Sequence, residues 1–279
     1  MAEFTRELFL QALDEWGRYA GAYGNLPAAE QADFLKAQGH ASMRDLLAHV
    51  AVWWEEARGI IAETIKRGDG PARKYDFGEF NAAALQRFRD TPEAELMAWY
   101  ESERQQMVAL VTSLTDEQMR VRRICSWLDG VVLERLKEHA IHAPRFLMVD
   151  MLQREWGDYV ARFNALNAEK QAEFLKQQGF ERFRDVMAHN IAWWEQGIAV
   201  VEASSSGNQV EAEDIDAFNA EAVARFGQLE ETQVLQQFDD TRLTLASLMD
   251  MLPDEVLGKP TVQSWLRADV LDHYYEHAI

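Results

Sequence analysis

Residues 16–55 read WGRYAGAYGNLPAAEQADFLKAQGHASMRDLLAHVAVWWE, and residues 156–195 read WGDYVARFNALNAEKQAEFLKQQGFERFRDVMAHNIAWWE. At a constant offset of 140, 19 of these 40 positions are identical. Among them are Gly39/Gly179, Arg44/Arg184, His49/His189, Trp53/Trp193 and Glu55/Glu195. Further on the offset becomes 138 and pairs Phe80-Asn81 with Phe218-Asn219, Trp127-Leu128 with Trp265-Leu266, and Glu138-His139-Ala140-Ile141 with Glu276-His277-Ala278-Ile279. The two-residue change falls in polar, Gly- or Ser-containing stretches that read as surface loops, where insertions are tolerated. Self-similarity at about 140 residues is domain-sized, so the expectation is two fused domains, residues 1–143 and 144–279, and not a solenoid.

The quoted stretch also sets the fold class. Leu46, Leu47, Val50, Trp53, Trp54, Ala57 and Ile60 recur with helical spacing after Ser42, which reads as the N-cap. Gly39 reads as a helix C-terminal glycine closing a short helix near residues 28–38. Thr91-Pro92-Glu93 reads as a helix start with Thr91 as cap. Each repeat therefore reads as four long helices: about 3–23, 42–67, 91–113 and 129–142 in the first, and about 145–165, 182–203, 230–251 and 262–279 in the second. No strand pattern and no glycine signature for nucleotides is present. The expected fold is all-α, two tandem four-helix bundles.

Composition narrows the function. A net charge of −19 opposes nucleic acid and anionic membrane surfaces as partners, since both demand Lys/Arg patches. No apolar run is long enough for a membrane span, the N-terminal stretch is amphipathic and acidic and does not resemble a secretory signal, and one cysteine, Cys125, cannot form an internal disulfide. A cytoplasmic location is the expectation.

The histidines are not scattered. His189 lies among Val186, Met187 and Trp193 on a helix and should face the bundle interior. His273 and His277, in HYYEH, stand one helical turn apart on one face. Three inward imidazoles offer zinc or nickel three nitrogen ligands and leave a position open for water or substrate. HxxxH alone is common on helices; retention of His49/His189 and His139/His277 in both copies strengthens the reading. In the first repeat the set is His49, Arg135, His139, and a guanidinium cannot be a ligand. That site reads as dead, as remodelled around Arg135 for an anion, or as rebuilt through His142. Trp193, Trp194, Asn219 and Trp265 are candidate pocket residues, although tryptophans so placed are as often core. Asn81 and Asn219 read equally as N-caps. Glu195, like Glu55, is either a group behind the ligands or a general base, or a surface charge.

One His on the second long helix and HxxxH on the fourth resemble the DinB/YfiT-like superfamily of metal-dependent four-helix bundles; MRDLLAHVAVWWEEA and the FNA motif are similar to its ClbS/DfsB-type subgroup. The resemblance implies that His189, His273 and His277 hold the metal, and that Arg135 breaks the pattern in the first repeat. Such bundles occur singly and often dimerise, so the tandem copy resembles a fused dimer: a monomer acting as a pseudo-dimer. Relatives of this kind imply a thiol-dependent S-transferase or a hydrolase acting on a small electrophilic metabolite, with a low-molecular-weight thiol as the co-substrate of the former. The other reading is a non-catalytic protein that sequesters a small molecule between Trp-lined helices.

Overall fold

A computed structural model describes residues 4–68, 73–207 and 214–279. Among them there is no strand, and no helix is long and apolar enough to cross a membrane. The chain divides into two compact units, Glu3–Ile141 and His142–Ile279.

The first unit runs α1 (Arg6–Gly24), α2 (Ala28–Ala37), α3 (Met43–Arg67), α4 (Phe77–Arg87), α5 (Glu93–Ser113), α6 (Asp116–Met119), α7 (Arg122–Leu128), a π-helical turn at Asp129–Leu133, and α8 (Glu134–His139). The second runs α9 (Arg145–Asp150), a π-turn at Met151–Glu155, α10 (Tyr159–Ala165), α11 (Ala168–Gln178), α12 (Phe183–Ser205), α13 (Ile215–Phe226), α14 (Glu231–Met251), α15 (Asp254–Leu257), α16 (Pro260–Leu266), a π-turn at Arg267–Asp272, and α17 (His273–Glu276). Local chemistry marks the starts. Side chains of Thr5, Ser42, Asp76, Asn167 and Asp214 each accept a backbone N–H of the first turn, satisfying donors that a helix leaves free. Gly39 and Gly179, at φ +69° and +76°, turn the chain from α2 into α3 and from α11 into α12 through a backbone conformation that strains other residues.

In the first unit α3 packs on α5, and α5 on α1; in the second α12 packs on α14. Each core centres on two perpendicular tryptophans. Trp16 and Trp54 meet edge to face at 5.7 Å, and Trp156 and Trp194 at 5.2 Å, all four fully buried. Their polar ends explain their position. A π-turn carries one residue more than an α-turn and displaces its carbonyls from the helical ladder. Trp16 and Trp54 donate their indole N–H to the carbonyls of Val132 and Val131, at 3.2 and 2.9 Å. Trp156 and Trp194 donate to those of Val270 and Asp269, at 3.0 and 3.1 Å. One turn later the hydroxyls of Tyr19 and Tyr159 donate to the carbonyls of His139 and His277, at 2.5 and 2.7 Å. The segment that carries the helix-terminal histidines is thus held from the core by three donors in each unit.

Several sequence expectations change here. The fourth long helix of each repeat is interrupted by the π-turn, and residues 145–165 by another. The FNA segments are not caps: Asn81 and Asn219 lie inside α4 and α13, two helices that periodicity did not predict. Thr91 makes no cap; Pro92 occupies that position without a side-chain hydrogen bond.

Candidate functional site

His189 projects from the second turn of α12, while His273 opens the single turn α17 that follows the last π-turn and His277 caps its C-terminus. The three rings converge, with centroids 4.9, 5.0 and 5.0 Å apart. Nε2 of His189 and Nε2 of His273 are 2.8 Å apart, and one ring nitrogen from each of the three lies within 4.8 Å of the others. Among the described residues no other three His, Cys, Asp or Glu side chains bring ligand atoms that close. Burial lowers His189 and His277 to about 4; burial, with the neighbouring imidazoles adding to it, lowers His273 to about 3. All three are neutral near pH 7, which leaves lone pairs free.

The tautomer of His277 is fixed from outside. Its Nδ1 lies 2.5 Å from Oε1 of Gln178, the last residue of α11, whose amide NH2 donates to the Glu276 carbonyl at 3.0 Å. Nδ1 therefore carries the proton, and the lone pair sits on Nε2, a buried atom with no hydrogen-bond partner. Neutral imidazoles brought together, two of them with an unpartnered buried nitrogen, form a donor set suited to a borderline divalent ion such as zinc or nickel.

Beside the rings opens a cavity of about 650 Å³. Its walls include Trp193, Trp265, Phe218 and Phe180, with Trp193 donating its indole N–H to Oδ1 of Asn219 at 2.9 Å. Trp193, Asn219 and Trp265 therefore line the cavity. Trp194 does not: it is fully buried in the core, because its neighbour Trp193 takes the cavity face and consecutive helical residues point about 100° apart. Glu195 is also outside the lining, since its carboxylate accepts from Arg225 at 2.5 Å and ties α12 to α13 at the surface. Glu55 makes the same tie to Arg87 in the first unit. Sequence reasoning missed Gln178, Phe180 and Asp269 of this site; only the duplication of Gln38/Gln178 carried a signal.

In the first unit His49 and His139 also face each other, at 5.9 Å between rings, and His139 Nδ1 meets Gln38 Oε1 at 2.5 Å. Arg135 turns aside, pairing with Glu138 at 2.6 Å with its guanidinium 5.8 Å from the Trp53 ring. A third imidazole comes from an unforeseen place. His40, on the loop after Gly39, lies 5.5 Å from His49 and 6.2 Å from His139, where the second unit has Phe180 over His189. His142 is exposed and takes no part. Burial lowers His49 and His139 to about 3, with Arg135 contributing to both. This cluster is looser than its counterpart and stands beside a fixed cation.

A helical bundle with inward histidines on its central and terminal helices defines the class, and a comparison of sequences supplies the family. The model of the DinB superfamily matches residues 2–143, half of the chain, and the chain belongs to that superfamily. No curated protein and no solved structure matches the chain.

Proposed function

We propose that the second unit is a metal-dependent active domain, with His189, His273 and His277 as its ligands. The observation that carries this reading is the convergence of three neutral ring nitrogens at the edge of a cavity. Bound there, a zinc or nickel ion supplies the Lewis acidity that lowers the pKa of a coordinated thiol or water. The chain's own groups do the rest. Gln178 holds the proton of His277 on Nδ1, the π-turn and its tryptophan donors aim the two terminal histidines, and Trp193, Trp265 and Phe218 seat an apolar body and exclude water.

On this reading the reaction is thiol-dependent S-transfer to, or hydrolysis of, a small electrophile, in keeping with a ClbS/DfsB-type member of the superfamily. We read the two units as a tandem duplication, a fused counterpart of a dimer, in which the first site has lost the ligand replaced by Arg135.

Elemental analysis of the purified chain tests the core of this. About one equivalent of zinc or nickel per chain is expected under non-chelating conditions, lost in His189→Ala and His277→Ala. A chain free of metal that also fails to take up zinc on titration overturns the reading.

A further inference from the structure

The cavity of the second unit contains one side chain that the histidine reading leaves unused. Asp269 belongs to its lining yet is 2% exposed, and its Oδ2 has no hydrogen-bond partner. Room for this carboxyl comes from Gly197 on α12. A Cβ at that position would lie 2.8 Å from Asp269 Oδ2, so any other residue would push the carboxyl aside. The first unit has Ala57 and Val131 at the matching positions, 0% and 4% exposed, both hydrocarbon side chains. The two differences depend on each other: the acid fits only where the methyl group is missing.

An isolated carboxyl is costly to bury, and burial pushes Asp269 well above the usual carboxylate range. The usual remedy, a basic partner, is missing: among the described residues lining the cavity there is no lysine or arginine. Its other charged members are Glu276 and Asp272, the latter 3.3 Å from Arg267. The walls include the rings of Phe180, Trp193, Phe218 and Trp265, and aromatic faces carry negative π-clouds that attract cations.

We propose that this cavity takes a small ligand with an apolar or aromatic body and an ammonium group, for which Asp269 is the buried counter-ion. The proposal rests on the cavity being the ligand chamber of the active domain, as read above. It selects cationic substrates over neutral and anionic ones of the same size, and it makes Asp269 a specificity-determining residue absent from the first unit.

Trp193 and Trp265 in the wall provide the readout. The full chain is titrated at pH 7, metal-stripped and zinc-loaded, with 2-phenylethylammonium, 2-phenylethanol and 3-phenylpropionate, and binding is followed by tryptophan fluorescence. The cation is expected to bind at least ~10-fold tighter than the other two in the stripped protein. Asp269→Asn brings it to the level of the alcohol. The double variant Gly197→Ala/Asp269→Val, which installs the packing of the first unit, folds normally and loses the preference as well. Equal or weaker binding of the cation, no binding of any of the three, or a preference that survives Asp269→Asn overturns the proposal. Metal content of the same samples separates the two readings: a chain without affinity for zinc that keeps the cation preference sinks the metal assignment alone.

Discussion

Trp194→Phe tests whether the tryptophan cores hold the π-turns. The indole N–H of Trp194 donates to the Asp269 carbonyl at 3.1 Å, inside a core where water does not reach. Phenylalanine keeps an aromatic ring against Trp156 and Phe238 but removes the donor. The orphaned buried carbonyl costs about 1–3 kcal/mol. The smaller ring leaves a void worth about 1 kcal/mol more. The expected loss is about 2–4 kcal/mol from the second unit. Guanidinium unfolding followed by far-UV circular dichroism, fitted with one transition for each unit, measures it. Trp54→Phe, which orphans the Val131 carbonyl in the same way, should move the first unit's transition by a similar amount. Trp193→Phe is the control, because that indole lies in the cavity wall and donates to a side chain, Asn219. A Trp194→Phe protein within about 0.5 kcal/mol of the parent, the range of an ordinary surface substitution, would refute the reasoning.

Gln178→Leu should leave the fold nearly unchanged and weaken zinc binding about 10–100-fold, because nothing then holds the His277 proton on Nδ1; competition with a chromogenic chelator reads the affinity, and an unchanged value would refute this role. The metal-free chain should lose stability on acidification. Its buried histidines hold their protons only near pH 3–4 against about 6.5 when unfolded, so the native state binds fewer protons in that window. Their contribution is complete above pH 6.5 and declines as pH falls toward 3. Thermal melts of His139→Phe between pH 7 and 5 should show a shallower decline than the parent, and a slope equal to the parent's would count against it.

The long helices were legible because their apolar positions keep a 3.6-residue spacing over several turns, as in α3 with Leu46, Val50, Trp53 and Ile60. The π-turns were not, because one inserted residue among Val131, Val132 and Leu133 leaves an apolar run that reads as helix in either register. Helices α4 and α13 escaped because they are short and mostly exposed, with Ala84 and Ala222 among their few buried residues. The meeting of His189, His273 and His277 could be anticipated from one inward position and an i, i+4 pair. His40 could not: it belongs to a loop, and only the left-handed turn at Gly39 brings it over His49. Asp269 was hidden for a related reason. Its meaning depends on Gly197, 72 positions away in the sequence, and no local pattern links the two.

The π-turn has a consequence for how such sites are gained and lost. Each α-helical residue turns the chain by about 100°, so one supernumerary residue acts as an angular spacer that re-aims everything after it. His273 and His277 face His189 by virtue of that spacer as much as by their own identity. Deleting a single residue between Arg267 and Asp272 would swing HYYEH away from α12 with every ligand still in place. An HxxxH motif in a related chain is therefore informative only together with the length of the segment that precedes it. A chain lacking the spacer keeps the letters of the site without its geometry.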